Sequence, residues 1–422
     1  MLTDYLPTTK KELELRGWDS VDVILFSGDA YVDHPSFSSA VIGRILEAEG
    51  YRVAIVPQPD WHGDLRDFKK LGTPRLFFAV CAGNMDSMVN HYTANRRLRS
   101  NDAYSPDGRA GLRPDYCTVV YSNIIRQLFP DSVIVIGGIE ASMRRLTHYD
   151  YWADSVKPSI LVDSKADILV YGMGELPICE IARRLSNSEM VNDLHDIPQT
   201  AYMSAHQPEG LLLNSFEKCK QDKVAYADNF RNIEEQSNRY SALTLVEPVG
   251  KSYVVVNPPY PPMTTQQIDH SFDLPYQRQP HPKYKGKTIP AFDMIRFSVN
   301  THRGCFGGCA FCTISAHQGK FVSSRSKQSI LREVKLLSEQ DDFKGYLSDL
   351  GGPSANMYMM HGKDMELCKR CKRHTCLQPV ICPNLNQDFA PLIDLYQTVD
   401  RLPYIKKAFV SSGIRYDLMS AQ

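Results

Sequence analysis

The sequence predicts an α/β fold in two parts: a parallel-sheet domain, then a shorter strand–loop–helix unit. Three observations carry this. Apolar runs of strand length alternate with helix-like spacing over the first 200 residues. A proline-dense stretch then breaks the pattern. From Met294 the alternation resumes, and a cluster of cysteines appears with it.

In the first part, Val21–Ser27 reads as a buried strand. Ser39 to Glu49 follows with apolar residues at helical spacing (Val41, Ile42, Ile45, Leu46), and Gly50 is placed to end that helix. Further strands are expected at Arg52–Pro57, Arg75–Val80, Ser132–Ile136 and Ala166–Tyr171. Parallel sheets take ligands at the carboxyl ends of their strands. Gly28, Gly137, Gly138, Gly172 and Gly174 fall there, either as a ligand cradle or as plain turns. No GxGxxG or GxxxxGK[ST] phosphate loop is present. Glu140 and Glu175 follow these turns and read as solvated carboxylates. His34, His62 and His148 read as ordinary surface or loop histidines.

Residues 201–290 read as a Pro-rich linker or subdomain. Asp222 to Tyr240 has helical character and Lys251–Val256 strand character, followed by Asn257-Pro-Pro-Tyr-Pro-Pro262 and Pro275, Pro280, Pro282 and Pro290. Proline at this density sustains neither a helix nor a central strand.

The third part, 291–422, opens with a strand at Ile295–Val299 and the cysteine loop. Ser326 is placed to cap a helix bearing Ile330, Val334 and Leu337 on one face. Strands at Gly345–Leu350 and Ala408–Ser412 end in Gly351-Gly352-Pro353 and Gly413-Ile-Arg415.

Composition restricts function. Lys plus Arg and Asp plus Glu each number 48, so the chain lacks the overall positive charge of a non-specific nucleic-acid binder. No apolar stretch approaches membrane-spanning length, and no charged n-region precedes an apolar run; a cytoplasmic location is the expectation. Seven of the 11 cysteines fall between Cys305 and Cys382, which points to metal or cofactor ligation rather than a disulfide framework. Cys81, Cys117, Cys179 and Cys219 are scattered and read as buried small apolar residues.

Cys305, Cys309 and Cys312 have C-x3-C-x2-C spacing. Thiolates this close can converge on one iron–sulfur cluster, and Gly304, Gly307 and Gly308 let the backbone wrap it. Three ligands leave one iron of a [4Fe–4S] cube open, whereas zinc sites usually pair two C-x2-C units. Cys368, Cys371, Cys376 and Cys382, inside a Cys-rich insertion spanning 361–386, form a second group fit for zinc or an auxiliary Fe–S cluster, with His374 as a substitute ligand. Lys369, Arg370, Lys372 and Arg373 interleave with these sulfurs and would offset their charge. A reduced Cys-rich loop or an RNA-touching basic knuckle are the alternatives.

The triplet, with Phe311 in its aromatic position, resembles the signature of radical S-adenosylmethionine (SAM) enzymes. Gly137-Gly-Ile-Glu-Ala-Ser142, Val256-Asn-Pro-Pro259, Asn300-Thr-His-Arg-Gly-Cys305, Gly351-Gly-Pro-Ser-Ala-Asn-Met357 and Ser412-Gly-Ile-Arg-Tyr-Asp417 together resemble the YgiQ family within that superfamily. The resemblance implies a [4Fe–4S] cluster on the three cysteines and reductive cleavage of SAM to a 5′-deoxyadenosyl radical. It implies SAM contacts from Phe311, Gly351, Gly352, Pro353 and Arg415, and a small flavodoxin- or ferredoxin-like protein as reductant. It also implies a Rossmann-like domain of the cobalamin-binding type over 1–200, ahead of a partial (β/α) barrel. The residues after Met294 are fewer than that barrel takes, so the sequence is read as truncated at its C-terminus. A histidine ligand for cobalamin would sit in D-x-H-x-x-G after the first strand. Here Asp33 and His34 are adjacent instead, and cobalamin is not supported. The competing function is a non-catalytic iron–sulfur or zinc protein in electron transfer or RNA binding.

Overall fold

The computed structural model describes residues 1–237 and 239–420. The chain forms two compact units, one of Met1–Ile233, Leu243–Pro259 and Leu274–Asp293, the other of Glu234–Ala242, Tyr260–Asp273 and Met294–Gln422.

The first unit is built on a nine-stranded sheet. Its strands are β1 (Val23–Ser27), β2 (Val53–Pro57), β3 (Phe77–Cys81), β4 (Ile134–Gly137), β5 (Ile168–Val170), β6 (Thr200–Ser204), β7 (Leu211–Leu212), β8 (Leu245–Val249) and β9 (Ser252–Val256). They lie in the order β2-β1-β3-β4-β5-β6-β9-β8-β7. The first five are parallel, β6 and the β8–β9 hairpin are antiparallel, and β7 runs parallel to β8. Every residue of β1, β2 and β3 is buried. Helices α1 (Ser38–Ala48), α2 (Cys117–Leu128), α3 (Gly138–Met143) and α4 (Glu175–Ser186) belong to this unit. Strands covered on both faces need apolar residues at every position, which is why these runs do not alternate. Gly50, at φ +89°, ends α1: its N–H bonds the Glu47 carbonyl and that of Tyr51 the Leu46 carbonyl.

Residues 201–290 are divided between the two units. β8 and β9 complete the first sheet, and 274–293 returns to the same unit, where Gln279 and Pro280 pair with Asp33 and Val32. Pro258, Pro259, Pro261 and Pro262 lie outside the strands, while Pro248 sits within β8 and Pro280 pairs with Val32. The strand expected at Lys251–Val256 is present as β9, where the β-branched run Val254-Val-Val256 is buried. The expected helix is present as Lys223–Ser237; the position after it, Asn238, lies outside the described residues.

The second unit holds four short strand segments in two parallel pairs. β10 (Ser298–Asn300) pairs with β12 (Asp349–Gly351), and β11 (Tyr346–Leu347) pairs with β13 (Lys407–Ala408). Backbone bonds from Ser348 to Phe297 and from Leu350 to Phe409 extend both ladders. Helix α5 (Thr265–Phe272) precedes them, α6 (Lys327–Ser338) connects β10 to β11, and α7 (Ala390–Asp400) precedes β13. Ser326 caps α6 by accepting from the Ser329 N–H, as its sequence predicts. Val299, Ile330, Val334, Leu347, Leu350 and Leu395 form the core between strands and helices. The Cys-rich insertion sits between β12 and α7 and carries one short helix, Met365–Lys369.

Candidate functional site

Three loops leave the carboxyl ends of β10, β12 and β13 and are tied together there. The Thr301 N–H donates to the Gly351 carbonyl at 2.7 Å. Asp349 Oδ1 accepts from the Ser411 N–H at 2.8 Å, the Ser412 N–H at 3.1 Å and the Ser412 hydroxyl at 3.0 Å. Asn356 both accepts from the Arg415 N–H and donates to the Arg415 carbonyl, each at 2.9 Å. The candidate site residues thus sit where parallel strands normally present their sites.

The first loop runs from this edge into the cysteine triplet. His302–Arg303 pairs with Ser323–Ser324, which closes the loop on itself. The Cys305 N–H donates to the Gly319 carbonyl and the Cys312 N–H to the Cys309 carbonyl, both at 3.0 Å. Gly304 sits at φ +88°, and a Cβ there would lie 2.3 Å from the Phe321 carbonyl oxygen, so only glycine fits. The Arg415 guanidinium donates to Cys309 Sγ at 3.0 Å while holding Asp417 with two further bonds. A guanidinium is always charged, and its N–H favours a sulfur carrying negative charge.

Cys305, Cys309 and Cys312 are all partly exposed, on one tight loop. Among the described residues, no three His, Cys, Asp or Glu side chains are set to hold a single metal ion. The donor set, three thiols with a guanidinium N–H on one sulfur, matches an iron–sulfur cluster.

The other predicted site residues divide. Arg415 is at the loop. Gly351 and Gly352 are at the strand edge, but each has a packing reason that needs no ligand. A Cβ on Gly351 would stand 1.9 Å from the Ser412 hydroxyl, and one on Gly352 2.5 Å from the His302 ring. Pro353 follows them on the same turn. Phe311 is 91% exposed. Cys368, Cys371, Cys376 and Cys382 lie together in the insertion, against the triplet's own loop.

Sequence reasoning gave no role to His302, Lys320 or Thr375. His302 is buried beneath Gly352, its Nδ1 2.8 Å from the Thr301 hydroxyl, and burial pushes its pKa down to about 4, so it is neutral. No spacing rule would have found it, since its partner Gly352 is distant in sequence.

In the first unit several expectations need correction. Glu140 is not solvated: it is fully buried and accepts from the Ser87 N–H, the Ser87 hydroxyl and the Thr118 N–H. It occupies the N-terminus of α2, where unpaired N–H groups favour a carboxylate. Glu175, in the first turn of α4, is likewise buried. His34 is buried too, accepting from the Ser36 N–H and lying 3.1 Å from the Arg278 guanidinium; His148 is partly buried and His62 exposed. The strand order makes the β1/β3 boundary the switch point of the sheet, where such folds bind ligands. The chain's own buried groups fill it. Arg113 pairs with Asp29 at 2.8 Å and Asp102 at 2.9 Å and donates to the Ala82 carbonyl. A Cβ on Gly28 would strike the Ala82 oxygen at 2.3 Å. Glycine is required there for packing.

Residues 5–298 match the family model described as the radical SAM N-terminal domain. A UPF0313 protein of Bacteroides thetaiotaomicron is 62% identical over 437 residues, covering 100% of this chain and 70% of that protein. The UPF0313 protein YgiQ of Escherichia coli is 43% identical over 473 residues, covering 98% of this chain and 64% of that protein.

The chain belongs to the YgiQ (UPF0313) family.

The match to the radical SAM N-terminal model ends before Cys305, so the cysteine loop lies beyond it. Among solved structures, the radical SAM methyltransferase TsrM of Kitasatospora setae aligns at a TM-score of 0.41 and 17% identity, over 77% of this chain and 46% of TsrM. That likeness is too remote to bear on function. No helix among the described residues is long and apolar enough to cross a membrane.

Proposed function

We propose that this YgiQ-family protein is a radical SAM enzyme in which Cys305, Cys309 and Cys312 hold a [4Fe–4S] cluster and the loops after β10, β12 and β13 hold SAM. When bound, the cluster supplies the electron that splits SAM into methionine and a 5′-deoxyadenosyl radical. One observation supports this most: the three-cysteine loop leaves the same strand edge as Gly351–Pro353 and Ser412–Arg415, with Arg415 on Cys309.

The protein's own groups have distinct tasks. Gly304 and the Cys305 N–H to Gly319 bond fix where the loop begins. Arg415 donates to sulfur and keeps positive charge beside a centre that gains an electron. The Gly351–Gly352 turn carries backbone N–H groups without side-chain bulk, donors suited to a SAM carboxylate. His302, neutral near pH 7, supports that turn from below without adding charge. A small flavodoxin- or ferredoxin-like protein would deliver the electron.

The test is spectroscopic. After anaerobic reconstitution and reduction, SAM is added and the cluster's EPR signal recorded. A change in the signal, absent from Cys309→Ala, is expected. A wild-type spectrum indifferent to SAM would refute SAM binding at an open iron.

A further inference from the structure

We propose that Cys368, Cys371, Cys376 and Cys382 hold a second, fully cysteine-ligated iron–sulfur cluster, and that its loop braces the loop of the first triplet.

The insertion brings the four cysteines into one neighbourhood. Cys368, Cys376 and Cys382 line a single cavity together with Lys320, Phe321 and Asn384. The Cys371 N–H bonds the Cys368 carbonyl, and the Cys382 N–H bonds the Cys376 carbonyl, so backbone bonds join them in pairs. Donors point at the sulfurs: Asn384 Nδ2 lies 3.3 Å from Cys368 Sγ and the Arg373 N–H 3.4 Å from Cys371 Sγ. Hydrogen bonds to sulfur of this kind orient and tune cluster ligands.

Lys320 is the independent observation. It is 2% exposed, yet its ammonium donates to the Arg373 carbonyl and stands 3.9 Å from Cys371 Sγ. No carboxylate among the described residues lies at ion-pair distance from it; every lysine ion pair found involves a different lysine. A buried cation requires a counter-charge. Neutral thiols supply none; metal-bound thiolates do. The exposed basic residues that interleave with the cysteines do not take this place. Lys369 pairs with Glu366, and the Arg373 guanidinium closes on the Gln378 and Val380 carbonyls.

The metal chemistry follows from the arrangement. A zinc tetrathiolate draws all four sulfurs onto one ion. Cys368, Cys376 and Cys382 instead border a shared cavity, the space that a cube would occupy. In a cube each sulfur holds its own iron. With four cysteines no iron is left open, so this site would not bind SAM.

The brace is direct. The Thr375 hydroxyl donates to the Phe306 carbonyl at 2.7 Å and sits 3.0 Å from the Gly307 carbonyl, and the Cys376 N–H reaches Phe306 at 3.2 Å. Phe306, Met360, Leu377 and Leu385 pack as one apolar cluster between the two loops.

Iron content tests this without any reference to SAM cleavage. The Cys305/Cys309/Cys312→Ala variant is reconstituted anaerobically with iron and sulfide, with circular dichroism as the check on folding. It should retain about four irons per chain, half the wild-type content, and a reduced EPR signal that SAM does not alter. An iron-free folded variant, or one carrying zinc, overturns the proposal. Alkylation of the wild-type protein gives a second readout should that variant not fold. Total iron near eight with Cys368, Cys371, Cys376 and Cys382 protected is expected; iron near four with these cysteines labelled overturns it.

Discussion

The Arg415 guanidinium, at the end of the β13 loop, donates to the Cys309 sulfur at 3.0 Å, across 106 positions of sequence. It is held there by Asp417 and, through its backbone, by Asn356. One side chain thus couples the third strand's loop to the centre of the cysteine triplet.

Replacing Arg415 with methionine removes that donor while keeping much of the side chain's bulk. A hydrogen bond to a charged group contributes about 1.5 kcal/mol. Lost from the reduced, more negative state, this corresponds to a fall of about 60 mV in a one-electron potential. Redox titration followed by EPR measures it; an unchanged potential would show that the contact does not tune the cluster.

Gly351→Ala places a Cβ against the Ser412 hydroxyl, and the core has no slack at that edge. The expected cost is about 1–3 kcal/mol of stability. Because the nearest clash is with an oxygen, Ser412→Ala in the same chain should recover part of it. Thermal melts of the single and double variants decide this. A fully tolerated Gly351→Ala would mean that the glycine is kept for a ligand alone.

Arg325 in the second unit is fully buried, bonding Glu333, the Ser329 hydroxyl and the Asn300 carbonyl just before the cysteine loop. Arg325→Met removes the Arg325 cation from Glu333. Breaking a buried pair this way costs about 3–5 kcal/mol. Denaturant unfolding should show the loss, and Glu333→Gln in the same chain should relieve part of it.

Glu247 on β8 is fully buried, accepting from the Thr147 N–H, and burial pushes its pKa up to about 7. The folded state therefore keeps a proton that the unfolded chain releases near pH 4.5. Stability is greatest on the acid side and falls as pH rises from about 4.5 to 7, by about 3 kcal/mol at most. Glu247→Gln should flatten the unfolding profile across that window. An identical slope in the variant would assign the dependence elsewhere.

Much of this architecture can be read from sequence, for identifiable reasons. The five parallel strands announce themselves because burial on both faces demands unbroken apolar runs such as Val53-Ala-Ile-Val56. Ser326 and Gly50 mark helix ends because their chemistry is local. The cysteine loop is visible because its three cysteines are neighbours in sequence. What escapes is long-range. Nothing near Glu140 signals that it seals the start of α2, and β8, which carries Pro248, is not evident beside the expected β9. The cation facing the second cysteine group is Lys320, about 50 residues upstream of Cys371, rather than the lysines and arginines interleaved with the cysteines. Gly351 and Gly352 read as a ligand cradle, and the structure adds Ser412 and His302 as tightly packed neighbours.

The most direct test of the account is SAM turnover. Anaerobically reconstituted, reduced protein is incubated with SAM, and 5′-deoxyadenosine is measured by chromatography. The account predicts its formation by the wild-type protein and its loss in Cys309→Ala. A protein with its cluster fully loaded and reduced that leaves SAM intact would contradict it.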